Sequence, residues 1–347
     1  MSGNSASIPG NGAAWLVLQL LLALLLTSAR PAAASDGPVE EADRGVDERQ
    51  PAQLYAVPTT PDRAGRILAP VEINGSGPYR FILDTGANSS ALAPRVAEAL
   101  ALPAAQSAVL GVHGVTGMAN LPAVWVEKIQ AGEIAFEQLA VPVLGSAVFA
   151  EADGILGVDG LQDARIEVDF TRNRVSISRS TGRRDRDGAL LVRAELRHGG
   201  LLLVDGKVGR IPVKALIDTG AERSLGNMAL YNELASRSRR PSEVVSTTVA
   251  GATPGLVTGT SLRTPTVRIG EARLRNMVVT FGDLHVFKVW GLTEEPALLI
   301  GMDLLGTLQR FVVDYPRREF LLESRPSGVP GIRRCGGTEC QTRIPEG

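Results

Sequence analysis

Two stretches of this chain carry the same short acidic turn, Phe81-Ile82-Leu83-Asp84-Thr85-Gly86-Ala87 and Ala215-Leu216-Ile217-Asp218-Thr219-Gly220-Ala221. In each stretch a run of apolar residues, typical of a buried strand, leads directly into Asp-Thr-Gly-Ala. The flanking residues repeat at the same separation of 134 positions: Gly75 with Gly209, Pro78 with Pro212 and Ser90 with Ser224. The chain therefore contains two copies of one unit. A pseudo-twofold axis between the copies would bring the two aspartates face to face.

The repeat continues beyond the acidic turn. Ile155-Leu156-Gly157 of the first copy returns as Leu299-Ile300-Gly301, and Val168-Asp169-Phe170 returns as Val313-Asp314-Tyr315. The second copy is about ten residues longer between its turn and its apolar-apolar-Gly segment, and insertions of that size belong in surface loops.

This order of Asn-Gly, apolar strand, Asp-Thr-Gly-Ala, glycine-rich hairpin, apolar-apolar-Gly and Val-Asp-aromatic resembles the lobe of a retropepsin-like aspartic peptidase. That is the clan of pepsin and the retroviral proteases. Its appearance twice in one chain is similar to bilobal bacterial members, and the resemblance covers Ile67 to Glu323. It implies an all-β fold with few short helices, in which two lobes are related by a pseudo-twofold axis and an active cleft lies between them.

Asp84 and Asp218 are the predicted catalytic pair. Two carboxyl groups about 3 Å apart cannot both ionise, so they share a proton and together provide a general acid and a general base. Thr85 and Thr219, by the resemblance, exchange hydrogen bonds across the axis. We expect Gly86 and Gly220 to let each turn bend sharply and bring backbone N–H groups to the carboxylates.

Alanine follows Asp-Thr-Gly in both copies, at Ala87 and Ala221, as in retroviral enzymes. Pepsin-like enzymes carry a serine or threonine there, whose hydroxyl favours the ionised carboxylate. Without that donor the pKa of the pair should be higher. We therefore expect an activity optimum in mildly acidic to near-neutral conditions.

Glycine-rich segments at the family's flap position are predicted to close over a bound peptide. They contribute, as candidate substrate-binding residues, Gly114, Val115, Thr116, Gly251, Ala252 and Thr253. A mobile surface hairpin is the alternative interpretation. Pro254 would stiffen the second flap and make the two flaps unequal.

Other side chains with catalytic or metal-binding chemistry fit structural roles better. The histidines, His113, His198 and His285, are far apart in sequence and lack metal-ligand spacing, and His198 is expected in a loop. No G-x-S-x-G elbow accompanies a serine triad. Asp169 and Asp314 are predicted to accept local hydrogen bonds, and Asp159 and Asp303 to cap helix starts.

Composition excludes several partners. Lys+Arg at 36 nearly balances Asp+Glu at 37, and aromatic residues make up 4% of the chain. Neither a strong positive field nor stacking platforms are present, so nucleic-acid binding is not expected. No cofactor or metal is predicted. The expected partner is a peptide or an unfolded protein segment, bound by a monomer that already contains both halves of the site.

The N-terminal region predicts export. Trp15 to Leu26 is apolar apart from Gln19, shorter than a membrane-crossing helix needs, and Ala32-x-Ala34 suits signal-peptidase cleavage before Ser35. Residues 1–14 contain no Lys or Arg, so an uncleaved membrane anchor or a wrongly assigned start codon stays open. Either a cleaved signal or an anchor places the body of the protein in the periplasm or outside the cell. Cys335 and Cys340 could form a disulfide there or stay as thiols.

The chain divides into six predicted segments. They are a signal peptide or anchor (1–34), a flexible acidic leader (35–63), an N-terminal lobe (64–180), a linker (181–189), a C-terminal lobe (190–325) and a flexible tail (326–347). Helices are predicted at Pro94 to Leu102, with Val96, Ala99 and Leu100 on one face, and at Met228 to Ala235. The function predicted is an aspartic endopeptidase. The alternatives are a catalytically silent peptide-binding protein that uses the same cleft and a self-processing regulatory protease.

Overall fold

Short strands make up most of the fold. The computed structural model describes residues 57–58, 65–145, 148–149, 151–181, 189–238 and 244–324, which all belong to one compact unit. The first half contains β1 (Val57–Pro58), β2 (Leu68–Ile73), β3 (Ser76–Leu83), β4 (Ala91–Leu92), β5 (Ala104–His113), β6 (Met118–Ala131), β7 (Ile134–Pro142), β8 (Gly154–Leu156), β9 (Ala164–Asp169) and β10 (Arg174–Arg179).

The second half repeats this strand-rich pattern. It contains β11 (Leu190–Arg197), β12 (Leu201–Val208), β13 (Ile211–Ile217), β14 (Leu225–Gly226), β15 (Val245–Ala250), β16 (Leu256–Arg263), β17 (Val267–Ile269), β18 (Ala272–Leu274), β19 (Val278–Phe281), β20 (Ala297–Ile300), β21 (Leu308–Asp314) and β22 (Glu319–Ser324). The all-β prediction is confirmed.

Helices are few and short. They are α1 (Pro94–Ala99), α2 (Met228–Arg237), α3 (His285–Val289), α4 (Met302–Leu305) and a 3-10 helix at Val158–Gly160. Both predicted helices form. However, α1 ends at Ala99 and buries Val96 and Ala97, so the expected apolar face was wrong at Ala99, which is exposed. Among the described residues, the structure contains no helix with the length and hydropathy to cross a membrane.

The sheet of the first half has the strand order β4-β8-β3-β2-β6-β5, with β7 also paired to β6. Its centre is the parallel pair β3–β8, with β4 antiparallel on the other side of β8. The second half uses the same arrangement, with β13 parallel to β20 and β14 antiparallel to β20. The repeat seen in the sequence is therefore also a repeat of strand pairing, and it places the two acidic turns at equivalent strand ends.

A second sheet joins the two halves. Its strand order begins β1-β10-β9-β21-β22-β11 and continues through β12 and β13 into the second half. The halves meet where β9 pairs with β21, from Arg310 opposite Asp169 to Asp314 opposite Arg165. Alternate residues of β9 and β10, such as Ile166, Val168 and Val175, are buried, as a sheet with one face on the core requires. We call the six strands β1, β10, β9, β21, β22 and β11 the joining sheet.

Several predicted segments lie outside the described residues. They include the signal or anchor, all of the acidic leader before Val57, most of the linker (182–188) and the cysteine-bearing tail. Within the predicted leader, the structure describes Val57 and Pro58, which form β1 and pair with β10.

Candidate active site

Each acidic turn begins where a central strand ends. The backbone N–H of Asp84 donates to the carbonyl of Leu156 at 3.0 Å, and that of Asp218 donates to the carbonyl of Ile300 at 3.0 Å. The apolar-apolar-Gly strands thus fix the backbone of the two aspartates. The glycine that follows each strand permits close approach, because a Cβ at Gly157 or Gly301 would overlap the backbone of Ser89 or Arg223.

Thr85 and Thr219 link the two turns through reciprocal hydrogen bonds. Each backbone N–H donates to the other threonine's Oγ1 at 3.1 Å. The hydroxyl of Thr85 donates to the carbonyl of Ile217 at 2.7 Å, and that of Thr219 donates to the carbonyl of Leu83 at 2.6 Å. Both side chains are fully buried. These bonds fix the position of one half of the site relative to the other.

Gly86 and Gly220 face the carboxylate of the opposite half. A Cβ on Gly86 would lie within 3.0 Å of the Asp218 carboxyl group, and one on Gly220 would lie within 3.0 Å of the Asp84 carboxyl group. The chain turns at both glycines without a positive φ at either one. Their backbone N–H groups do donate to Oδ1 of Asp84 and Asp218, each at 2.9 Å. Glycine is required at these two positions because the two turns approach so closely.

The carboxyl groups of Asp84 and Asp218 lie close together, since each rests against the glycine of the opposite turn and each acts on the pKa of the other. Burial raises the pKa of Asp84, while N–H donors and the charge of Arg66 act in the opposite direction. Burial and the neighbouring charge of Asp84 hold the pKa of Asp218 well above its usual value, although the N–H groups of Ala221 and Gly220 partly oppose this. A buried pair that shares one proton can serve as both an acid and a base.

Asp159 and Asp303 do not cap helices, contrary to the sequence prediction. The helices that contain them begin after Gly157 and Gly301, and neither start has a side-chain cap. Instead, Asp159 accepts hydrogen bonds from the N–H and hydroxyl of Ser90 at 2.9 and 2.8 Å. Asp303 accepts the equivalent pair from Ser224 at 3.0 and 2.7 Å. Each acid thus links, by hydrogen bonds, the segment after its acidic turn to the segment after its apolar-apolar-Gly strand.

The repeated acids of the joining sheet accept local hydrogen bonds, as expected. Asp169 accepts from the N–H groups of Thr171 and Arg172 at 2.9 Å. Asp314 accepts from the N–H of Arg317 at 3.2 Å and from the hydroxyl of Ser180 at 3.0 Å.

The two glycine-rich segments form hairpin tips that touch each other. Gly114, Val115 and Thr116 lie between β5 and β6, and Gly251, Ala252 and Thr253 lie between β15 and β16. Thr253 Oγ1 donates to the carbonyl of Gly117 at 3.1 Å, and Thr116 Oγ1 donates to the carbonyl of Thr253 at 3.4 Å. The structure therefore has the two hairpins in contact, one from each half.

Two histidines that are distant in sequence meet at these hairpins. Nδ1 of His113, at the end of β5, lies 3.0 Å from Nε2 of His285, the first residue of α3. Their rings stack with centroids 5.3 Å apart and planes inclined by 14°. The sequence, in which these two histidines are far apart, gave no sign of this contact. His198 lies in the turn between β11 and β12, where it was expected, and contacts Trp290.

Sequence reasoning missed Arg66 and Tyr315. The Arg66 charge acts on Asp84, and the corresponding position in the second copy is Gly200, so only one half carries this cation. Tyr315 is buried, and its hydroxyl has no hydrogen-bond partner within the described part of the chain. The first copy has Phe170 at the corresponding position. Such mismatches between the two copies were visible in the sequence and were the signal that could have identified both residues.

A separate cavity of about 1140 Å³ lies in the second half, between α2 and the turn that joins β12 to β13. Tyr231, Leu234 and Leu262 supply apolar lining, and no carboxylate lies among the residues around it. It contains none of the paired aspartates, threonines or hairpin tips described above, so it is separate from the candidate active site.

Comparison with known proteins detects both copies of the repeat. The sequence model of one protein family, described as aspartyl protease, matches residues 69–159 and 204–304, which together make up more than half of the chain. Each matched segment contains one Asp-Thr-Gly turn and the apolar-apolar-Gly strand that follows it. The chain matches no curated protein.

Proposed function

This chain belongs to the aspartyl protease family, and we propose that it is an active endopeptidase that uses Asp84 and Asp218 as its catalytic pair. The observation that carries the proposal is the close approach of these two carboxyl groups, which lie on equivalent turns of the two halves and each rest against the glycine of the opposite turn. An inert peptide-binding protein would not need this arrangement, because burying two acids side by side costs stability unless the site uses it.

In the proposed resting state Asp218 holds the shared proton and Asp84 is ionised. The charge of Arg66, which favours the ionised form of Asp84, supports this assignment. Asp84 then accepts a proton from a water molecule while the water oxygen bonds to the carbonyl carbon of the scissile peptide. In the same step Asp218 gives its proton to the carbonyl oxygen, and a tetrahedral diol forms.

Breakdown of the diol reverses the roles of the two acids. Asp84, now protonated, delivers its proton to the amide nitrogen as the C–N bond breaks. One diol hydroxyl returns a proton to Asp218, which leaves a carboxylic acid, an amine and the starting protonation state. The contacts between the hairpin tips support a lid role in which Gly114 to Thr116 and Gly251 to Thr253 cover an extended peptide and exclude water.

We further propose that the enzyme works as a monomer in the periplasm or outside the cell. Support for the monomer is that both acids belong to one chain, and support for the location is the apolar segment from Trp15 to Leu26. The substrate class is an extended peptide or an unfolded protein segment, since hairpin lids of this kind accommodate extended backbone.

A peptide library tests the activity directly. We expect the wild type to cleave internal peptide bonds and a statine-type compound to inhibit it. Asp84→Asn and Asp218→Asn should each lower kcat/KM by about 10²- to 10⁴-fold, because each removes one partner of the acid–base pair. Asp205→Asn is the matched control, since this aspartate is exposed and paired with Lys214 away from the site.

Cleavage that disappears in only one of the two variants would contradict a shared pair. A wild type that binds library peptides and releases them intact would favour the silent peptide-binding alternative. Trimming of its own leader with no cleavage of added peptides, detected by mass spectrometry, would favour self-processing.

A further inference from the structure

In the described part of the chain, four polar contacts join the tip region of the first hairpin, residues 104–131, to the second hairpin and to α3. Two are the threonine bonds between the hairpin tips. A third runs from the N–H of Val286 in α3 to the carbonyl of Val115 at 3.4 Å. The fourth is the pair His113–His285. Backbone amides and threonine hydroxyls stay neutral at any physiological pH. The histidine pair is therefore the only one of these four contacts that contains ionisable groups.

The pair can exist as a hydrogen bond only while at least one ring is neutral. An imidazole accepts through a nitrogen that carries no proton, and at 3.0 Å one of the two facing nitrogens must be that acceptor. When both rings are protonated, both facing nitrogens carry hydrogens and no acceptor remains. Two positive charges would then face each other in rings stacked 5.3 Å apart. Imidazole is the side chain that changes charge between about pH 5 and 8.

Few other charges act at this position. His113 is the only ionisable side chain in residues 104–126, and residues 244–262 contain none. Asp283 and Lys288, beside and within α3, pair with each other at 3.0 Å. The other charged or titratable groups nearby are Arg193, Glu195, Arg197 and His198 on β11 and its turn, and Glu294 and Glu295 in the segment that follows α3. Arg197 is itself paired with Glu195 at 2.8 Å.

We propose that His113 and His285 form a pH-sensitive latch that holds the first hairpin closed while the pair retains a neutral ring and releases it when both rings are protonated. The inference rests on the proposed function in that it regulates access to the same cleft. It gives the molecule a second response to acid that is separate from titration of Asp84 and Asp218. The hairpin opens toward the acidic side of the histidine range.

Hydrogen exchange followed by mass spectrometry tests the latch without using activity. In the wild type we expect exchange of residues 104–131, corrected for the intrinsic effect of pH, to rise between about pH 7.5 and pH 5. The rise should be about two- to tenfold, the change expected from losing one hydrogen bond. The β12–β13 hairpin, residues 201–217, is the internal reference and should not change.

The double variant H113N/H285Q separates titration from hydrogen bonding. Asparagine and glutamine place amides where the facing ring nitrogens lie, and amides bond to each other at any pH. We therefore expect exchange that is slow and independent of pH. His198→Asn is the matched control. It removes the third histidine at a residue with φ of 50°, which asparagine tolerates, and should keep the wild-type step.

The latch is overturned if wild-type exchange of residues 104–131 does not rise on acidification, or if the rise persists in H113N/H285Q. The failure of the latch proposal can be told apart from the failure of the proposed peptidase activity. An acid-dependent step in a protein that cleaves nothing supports the latch and rejects the activity. Cleavage abolished by Asp84→Asn, together with a flat exchange profile, supports the activity and rejects the latch.

Discussion

Ala87 and Ala221 leave the paired carboxylates without hydroxyl donors. Ala221 offers only its backbone N–H, 3.0 Å from Oδ1 of Asp218. A serine hydroxyl at each position would donate to the ionised form and therefore lower the pKa of the pair. In A87S/A221S we expect the acidic limb of the kcat/KM profile to move down by about 0.5 to 1 pH unit, the effect of one hydrogen bond.

The measurement is a pH–rate profile of both proteins on one peptide. The wild type should peak in mildly acidic to near-neutral conditions. An optimum at pepsin-like acidity in the wild type, or no displacement in the serine variant, would reject this account of the pKa.

The buried hydroxyl of Tyr315 should lower the stability of the fold, and a single substitution can measure this effect. Its hydroxyl is buried without a partner in the described residues, and burial followed by the charge of Asp84 raises its pKa. Tyr315→Phe should therefore keep or increase stability, by up to about 1 kcal/mol, because an unsatisfied buried hydroxyl is unfavourable. Thermal unfolding checks this, with Tyr231→Phe in α2 as the control. A clear loss of stability would instead reveal a bound partner of the Tyr315 hydroxyl, such as an internal water.

Residues that obey the repeat were the ones that the sequence could predict. Asp84, Asp218, Thr85 and Thr219 each have a counterpart at the same offset, and the structure brings all four together. His113 and His285 have no such relation. They are 172 positions apart in different kinds of element, and only the contact of α3 with the first hairpin brings them together.

At the level of elements, hydrogen bonds of Ser90 and Ser224 connect the segment after each acidic turn to the end of a central strand. Besides donating to Asp159 or Asp303, each hydroxyl accepts a hydrogen bond at 3.1 Å from the N–H of Gly157 or Gly301. Ser90→Ala or Ser224→Ala would leave a buried acid with one donor fewer. We expect each change to cost about 1–3 kcal/mol in the free energy of unfolding.

Urea or thermal unfolding measures this cost. Ser246→Ala, at an exposed position of β15, is the control and should change stability little. Because the two sets of hydrogen bonds are equivalent, the two variants should behave alike. If both are as stable as the wild type, the hydrogen bonds to Asp159 and Asp303 contribute nothing.

Element boundaries were harder to predict than element type. The strand β6 runs from Met118 to Ala131 and passes through Pro122, a residue that usually interrupts a strand. The structure accommodates this proline at an irregularity, where the register between β5 and β6 shifts between Ala104 and Val109. The helix α1 buries Ala97 in place of Ala99 because a helix of six residues is oriented by its neighbours more than by its own periodicity.

The joining sheet makes the two halves one folded body. Strands β1, β10 and β9 come from the first half, and β21, β22 and β11 come from the second. If residues 182–188 are replaced by a recognition site for a sequence-specific protease and cut there, we expect the fragments to stay together. The pairing of β9 with β21 and the threonine bonds should hold them.

Gel filtration before and after cutting measures the association, and the uncut variant is the control. The fragments should elute together in native buffer, retain peptidase activity and separate only in denaturant. Separation into two peaks in native buffer would show that covalent linkage, and not the sheet, keeps the halves together.

Gly86 lies against Asp218, and Gly220 lies against Asp84. After a duplication, the residues that each copy can accept at its glycine therefore depend on the aspartate of the other copy. Neither copy can accept even a methyl group at its glycine while the opposite copy keeps its acid. If a lineage lost hydrolysis and then lost one acid, the steric constraint on the facing glycine would disappear, and that glycine could then be substituted. This chain retains both acids and both glycines, a combination that a long-abandoned site would have had no reason to preserve.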